Sequence, residues 1–264
     1  MTFLSIKITY LLESMTLLMF SLVISYGPTP TASMVKPSLV ADKVLVATNE
    51  SPTEFIPQTI PDVTIPPVVD GIAPLIIKLP TTQNVVFLGI DDGGFKRADE
   101  IKLLTRQHIK ASLFLSQLFI KDNPNFFKPL TEKGSLIENH TTSHELMSKL
   151  SYDKQKKEIC DEADLQLAQF GRRPNLFRPP GGDYNLDTQR AAAACGMRAV
   201  VLWIAKANGG SMQYQIGDGL QPGDIVLMHF RPEFAADLAA FVAAQNAAGL
   251  HTELLENWLP PSAL

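Results

Sequence analysis

Residues that can do acid–base chemistry follow directly after three short apolar segments of this 264-residue chain. Asp91 and Asp92 end one such segment, Arg178 follows a second, and His229 follows a third. The carboxyl ends of parallel strands lie at one edge of a sheet or barrel, so side chains that are distant in sequence can meet there. Alone, each residue has a plainer explanation: a turn, a surface ion pair or a half-buried histidine. Together they predict an active site.

A pair of histidines supplies a second element of this chemistry. His140 and His144 are four residues apart, and on a helix this spacing places two side chains on one face, where they can bind one metal ion. Two surface histidines are the alternative for an isolated pair. With a carboxylate from Asp92, two imidazoles leave coordination positions open for water and substrate, which is the pattern of a catalytic metal site.

The segment 178–182, Arg-Pro-Pro-Gly-Gly, is the remaining candidate. Its prolines stiffen the turn, and Gly181 offers a backbone N–H with no side chain in the way. A rigid N–H directed at a reacting centre is what an oxyanion hole requires. The alternative is a turn without a chemical role.

Strands and helices that could position these residues alternate after residue 80. Apolar runs predict strands at 84–90, 111–115, 176–177, 199–203 and 225–228, and helical spacing predicts helices at 98–108, 152–170 and 234–248. This alternation indicates an α/β fold with a mostly parallel sheet, either open or closed into a barrel.

In this order and spacing, the segments resemble the polysaccharide deacetylase family, which is carbohydrate esterase family 4 with a NodB homology domain. The matching segments are FLGIDDG at 87–93, ASLF at 111–114, NHTTSH at 139–144, FRPPGG at 177–182 and IVLMH at 225–229. The resemblance covers about residues 75–259. It implies a distorted (β/α)7 barrel of the NodB-like type.

The resemblance also implies a role for each site residue. Asp92, His140 and His144 would hold one divalent metal ion, Zn²⁺ or alternatively Co²⁺ or another divalent ion. Asp91 would be the general base that activates the attacking water.

Three further residues complete the implied set. Arg178 would orient Asp91, the N–H of Gly181 would stabilise the oxyanion, and His229 would be the general acid that protonates the departing amine.

One position departs from the family pattern. The family has an acidic residue shortly after a strand-end tryptophan, and its carboxylate tunes the catalytic histidine. Here Trp203 is followed by Lys206 at that position. If Lys206 faces His229, it disfavours the protonated imidazole.

The amino-terminal residues predict export rather than a part of the fold. Residues 1–33 contain an apolar run of signal-peptide length and are interpreted as a signal peptide or signal anchor. Ten of the nineteen prolines lie between Pro28 and Pro80, so residues 34–74 are interpreted as a disordered Pro-rich stalk. The catalytic domain then spans 75–261.

Charge and cysteine content indicate which partners and cross-links to expect. A net charge of −4 and the lack of a basic stripe give no reason to expect nucleic acid. Cys160 and Cys195 are expected to be buried thiols, with a single bridge as the alternative.

Together these features predict a secreted or membrane-anchored, monomeric hydrolase that acts outside the cytoplasm. It would remove N-acetyl groups from the amino sugars of a cell-wall polysaccharide, with peptidoglycan as the substrate. The alternatives are an O-deacetylase, a hydrolase of non-sugar amides, and a non-catalytic wall-binding protein.

Overall fold

The fold is taken from a computed structural model, which describes residues 59–261. The predicted signal segment and the first part of the stalk lie outside the described residues. In the part of the chain that is described, no helix is long and apolar enough to span a membrane.

Ten strands form one curled sheet within residues 59–261. They are β1 Leu75–Ile76, β2 Val85–Asp92, β3 Ser112–Leu115, β4 Leu136–Asn139, β5 Leu176–Phe177, β6 Ala199–Val201, β7 Ala205–Asn208, β8 Ser211–Tyr214, β9 Ile225–His229 and β10 His251–Glu253. The strand order is β1-β6-β5-β4-β3-β2-β9-β7-β8, and β10 also pairs with β2. Every pairing is parallel except the β7–β8 hairpin. The expected NodB-like distorted barrel is confirmed.

Helices cover the outer face of this sheet. Within the described residues they are α1 Ala98–Arg106, α2 Gln117–Ile120, α3 Lys128–Glu132, α4 Tyr152–Phe170, α5 Leu186–Ala194 and α6 Phe234–Ala247. Successive side chains of a strand point to opposite faces, so Val86, Leu88 and Ile90 of β2 pack in one cluster with Leu104 of α1 and Phe241 of α6. The other face of β2 lines the barrel interior and leads to the site.

The end of the barrel opposite the site is closed by apolar side chains. The Trp258 ring meets the Phe87 ring edge-on, with centroids 5.4 Å apart. Ile65 is fully buried in the same cluster, and its N–H donates to the carbonyl of Trp258 at 2.8 Å. Ala73 is also fully buried. The last residues of the predicted stalk therefore pack against the domain, which begins before residue 75.

The two cysteines form a disulfide bond, so the expectation of buried thiols is wrong. Cys160 lies on α4, and Cys195 directly follows α5. The bond ties together two helices that also pack in one cluster through Ile159, Ala163 and Ala191.

Candidate active site

A glycine in the middle of β2 makes room for a buried arginine. A Cβ atom built on Gly89 would lie 2.4 Å from Nη1 of Arg178, so any side chain at this position would displace the guanidinium. The guanidinium stacks over the Phe114 ring at 4.1 Å and donates through Nη1 to Oδ1 of Asp91 at 2.7 Å. Arg178 is fully buried and Asp91 is 2% exposed, so each charge depends on the other for compensation.

Backbone carbonyls fix the other side of the guanidinium. Nε of Arg178 donates to the carbonyl of Val201 at 3.3 Å, and Nη2 donates to that of Leu202 at 3.4 Å. Arg178 therefore presents one fixed nitrogen to Asp91. The predicted proximity of Arg178 and Asp91 is present.

His140 is held in a defined tautomer. Its Nδ1 lies 2.6 Å from the carbonyl oxygen of Arg178, and because a carbonyl only accepts, Nδ1 carries the proton. Nε2 then directs its lone pair towards Asp92 Oδ1, 3.5 Å away, and Asp91 Oδ2, 3.8 Å away. This arrangement is typical of metal-binding histidines, whose second nitrogen is fixed by a carbonyl or carboxylate.

The segment 140–144 is a loop, and not the helix on which a spacing of four residues would place two histidines on one face. Thr141 and His144 have φ values of 67° and 59°, which a right-handed helix does not allow. The loop is closed by its own hydrogen bonds: Asn139 Oδ1 accepts from the N–H of Thr141, and Thr141 Oγ1 accepts from the N–H of His144, both at 3.0 Å.

A carboxylate of α4 also holds this loop. Oε2 of Glu158 accepts from the hydroxyl of Thr142 at 2.6 Å and from the N–H of Ser143 at 2.9 Å. Glu158 thus fixes the segment between the two histidines. No motif in the sequence singled out Glu158.

Three candidate ligand atoms nevertheless converge as expected. Atoms of Asp92, His140 and His144 all lie within 4.8 Å of one another, and Nε2 of His144 is 3.2 Å from Asp92 Oδ1. This carboxylate oxygen is buried and accepts no hydrogen bond from the described residues. A cation relieves the repulsion among converging lone pairs, and the two nitrogens and one oxygen suit Zn²⁺ or a similar divalent ion. The residues therefore fit the metal that the sequence predicts.

The local backbone and electrostatics agree with this interpretation. Of the five described non-glycine residues with positive φ, three are Asp92, Thr141 and His144. Such strain is concentrated at functional sites. Burial raises the pKa of the Asp92 carboxyl, but His140 and His144, when their imidazoles are protonated, outweigh it and hold that pKa well below its usual range. Asp92 is therefore a carboxylate, as a metal ligand must be.

His229 lies at the end of β9, paired in register with Asp91 of β2. Burial lowers the pKa of His229, opposed by the carboxylates of Asp91 and Asp92 and assisted by the cation of Arg231. Nη1 of Arg231 donates to Oδ1 of Asn208 at 2.7 Å.

Lys206 is not among the charged groups that shift the pKa of His229. The expectation that Lys206 tunes this histidine is therefore not supported. Arg231, which the sequence interpretation missed, is a cation that lowers the pKa of His229.

Gly181 lies in a tight turn that follows β5. Its φ of 63° is in the left-handed region, and a Cβ atom there would be 3.3 Å from Cδ2 of Leu146. Glycine therefore suits both the backbone conformation and the space. Within the described residues no hydrogen bond uses its N–H, which is consistent with a donor for substrate.

Among the residues missed from sequence, Gly89 had a readable signal. A glycine inside a strand often marks the close approach of another group. Here that group is Arg178. Glu158 and Arg231 gave no comparable signal, because their roles depend on which elements pack together.

The chain is similar to a family of known proteins. Residues 78–200 match the family model described as polysaccharide deacetylase. A protein of Streptomyces coelicolor is 35% identical over 201 residues, which is 74% of this chain and 78% of that protein. A peptidoglycan-N-acetylglucosamine deacetylase of Bacillus cereus is 28% identical over 162 residues, covering 58% of this chain and 75% of that protein.

Solved structures show the same fold. A family 4 carbohydrate esterase from Streptomyces lividans in complex with acetate has a TM-score of 0.55 and 23% identity, over 67% of this chain and 98% of that one. A protein of Bacillus anthracis described as a CE4 family pseudoenzyme has a TM-score of 0.61 and 20% identity, over 70% of this chain and 68% of that one. Sequence relatives and fold agree, and the chain belongs to the polysaccharide deacetylase family.

Proposed function

We propose that this protein is a metal-dependent hydrolase that removes N-acetyl groups from the amino sugars of a cell-wall glycan. One observation carries the proposal: the converging donors of Asp92, His140 and His144 lie beside Asp91, whose strand register pairs it with His229. This arrangement combines a metal site, a base and an acid at one end of the barrel.

Asp91 is the general base. Its Oδ1 is bound to Arg178, which leaves Oδ2 directed towards the site, where it can accept a proton from the attacking water. The ion pair with Arg178 fixes the orientation of the Asp91 carboxylate. A divalent ion bound by the three ligands would polarise the acetyl carbonyl and lower the pKa of water.

His229 is the general acid for the departing nitrogen. An amine anion is too poor a leaving group to depart without a proton, and His229 lies across the β2–β9 pairing from Asp91. The N–H of Gly181 donates to the oxyanion of the tetrahedral intermediate. Base, acid and oxyanion donor are thus supplied by three different strand ends.

The proposed substrate is peptidoglycan, reached outside the cytoplasm. Two features support this location: the apolar segment that precedes the domain and the disulfide bond, since disulfides persist in oxidising compartments. The Bacillus cereus relative is itself named as a peptidoglycan-N-acetylglucosamine deacetylase. O-deacetylation and cleavage of a non-sugar amide use the same groups and are the alternative reactions.

The rival proposal is a wall-binding protein that has the fold but no turnover. The similarity to a CE4 family pseudoenzyme makes this rival concrete, because the fold by itself does not establish catalysis. Asp91, Arg178 and His229 are all present here, however, and the ion pair that orients the base is formed.

The experiment is acetate release from N-acetylglucosamine oligomers and from purified peptidoglycan. Asp91→Asn and His229→Ala should each lower kcat by about 10²–10⁴-fold, which is the usual contribution of general acid–base catalysis. Metal content should remain at one ion per chain in both variants. His144→Ala is the matched variant that should lose metal as well as activity. Unchanged kcat in Asp91→Asn and His229→Ala would refute the assigned roles.

A further inference from the structure

A cavity of about 220 Å³ lies between the carboxyl end of β6 and the β7–β8 hairpin. It is lined by one cation, two amide side chains, two aromatic rings and one alanine: Lys206, Gln213, Gln215, Trp203, Tyr214 and Ala205. The catalytic groups described above do not line it, so its role is separate from theirs.

The cavity shares a wall with the catalytic centre. The Trp203 ring lies 5.9 Å from Cζ of Arg178, and its Cζ3 and Cη2 atoms occupy the space that a side chain at position 182 would need. Lys206 pairs in register with Leu227 on β9, so its side chain lies on the same sheet face as Leu227 and His229. The cavity and the surroundings of Arg178 and Gly182 therefore share Trp203.

The charge in this cavity has no internal partner. Within residues 59–261, no carboxylate lies within 4.0 Å of the Lys206 ammonium and no acceptor is hydrogen-bonded to it. Two other partly buried lysines are both paired: Lys78 with Asp224 at 2.7 Å and Lys96 with Asp122 at 2.8 Å. A partly buried cation without an internal partner is available to pair with an anionic ligand.

The remaining lining groups suit a sugar. Gln213 lies directly opposite Lys206 in the hairpin, so an amide that can donate and accept stands beside the ammonium. The Trp203 ring offers an apolar surface near these polar groups, and a ring beside hydrogen-bonding groups is the combination that binds a saccharide.

We propose that this cavity is a subsite for a carboxylate-bearing sugar of the glycan chain, and that Lys206 recognises the carboxylate. The proposal rests on the proposed function for its substrate class and narrows that class to glycan in which the lactyl carboxylate of N-acetylmuramic acid is free, not amide-linked to a stem peptide. On this proposal, Lys206 replaces the family's acidic residue because position 206 binds substrate in this protein and does not tune His229.

Equilibrium binding tests this without depending on turnover. The full chain would be titrated by calorimetry with two probes: N-acetylglucosaminyl-N-acetylmuramic acid, which carries a lactyl carboxylate, and the neutral N,N′-diacetylchitobiose. Wild type should bind the acidic probe on the order of tenfold more tightly, as expected for one hydrogen bond to a charged group. Lys206→Gln should bind both probes equally, and Lys206→Arg should restore the preference.

Lys154→Gln, an exposed lysine of α4, is the matched control and should leave the preference unchanged. Equal binding of both probes by wild type, binding of neither, or a preference that survives in Lys206→Gln would each overturn the proposal. If the protein releases acetate but does not bind the acidic probe more tightly than the neutral one, the subsite proposal fails and the proposed hydrolase function stands. An acidic preference without acetate release would remove the catalytic function and leave the subsite.

Discussion

The disulfide between Cys160 and Cys195 allows a quantitative prediction about stability. The two residues are 35 positions apart, so reduction opens a loop of that length in the unfolded chain. The chain-entropy relation for such a loop gives about 4 kcal/mol at 25 °C. A domain of this kind is stable by only about 5–15 kcal/mol, so the bond supplies a large fraction of the total.

Reduction is the cleanest perturbation, because it changes the cross-link and leaves the side-chain volumes nearly intact. Urea unfolding would be followed by circular dichroism with and without a phosphine reductant, and thiol labelling would establish that the bond is open. The free energy of unfolding should fall by about 3–5 kcal/mol.

A double variant, Cys160→Ala with Cys195→Ala, is the control and should not respond to the reductant. Identical unfolding curves for oxidised and fully reduced wild type would refute the reasoning. Loss of this stability in a reducing environment is the physical reason to expect the protein outside the cytoplasm.

Two further predictions concern ionisable groups. Arg231→Gln should raise the pKa of His229 and move the alkaline limb of the kcat profile to higher pH. Lys206→Gln should leave that limb in place. A limb that moves in Lys206→Gln and not in Arg231→Gln would contradict the conclusion that Arg231 affects His229. Burial and the nearby carboxylate of Glu138 raise the pKa of Glu256 from 4.5 to about 8. The folded state therefore favours the protonated form of Glu256. The free energy of unfolding is unaffected by this group below about pH 4.5 and falls as pH rises towards about 8, because Glu256 must then be ionised while buried. Glu256→Gln should flatten the fall in the urea midpoint between about pH 5 and about pH 8, and an unchanged slope would show that Glu256 does not titrate there.

The chemistry was readable from sequence because the functional side chains lie where strands end. Asp91, Arg178 and His229 each follow a short apolar segment, and parallel register brings such positions to one edge whatever their separation in the chain. For the same reason the convergence of Asp92 with the two histidines could be expected before the loop between them was known.

The conformation of that loop could not be read in the same way. A spacing of four residues is compatible with a helix, but backbone hydrogen bonds to Asn139 and Thr141 hold the chain at positive φ instead. The two histidines still converge, because the loop is closed by these bonds and by Glu158.

Contacts between elements that are distant in the chain could also not be predicted from the sequence pattern. The disulfide depends on α4 lying beside α5, which composition and cysteine count do not reveal. The effect of Arg231 on His229, in place of the expected effect of Lys206, is a second example. Which cation affects His229 depends on the positions of their side chains and not on their order in the chain.

Acetate release as a function of metal occupancy tests the central claim most directly. Protein freed of metal by a chelator would be titrated with Zn²⁺ or Co²⁺ while acetate released from N-acetylated glycan is measured. Activity should rise in proportion to bound metal, reach its maximum at one ion per chain, and be absent at every ratio in His144→Ala. One tightly bound ion per chain with no acetate released from peptidoglycan or N-acetylglucosamine oligomers would contradict the account.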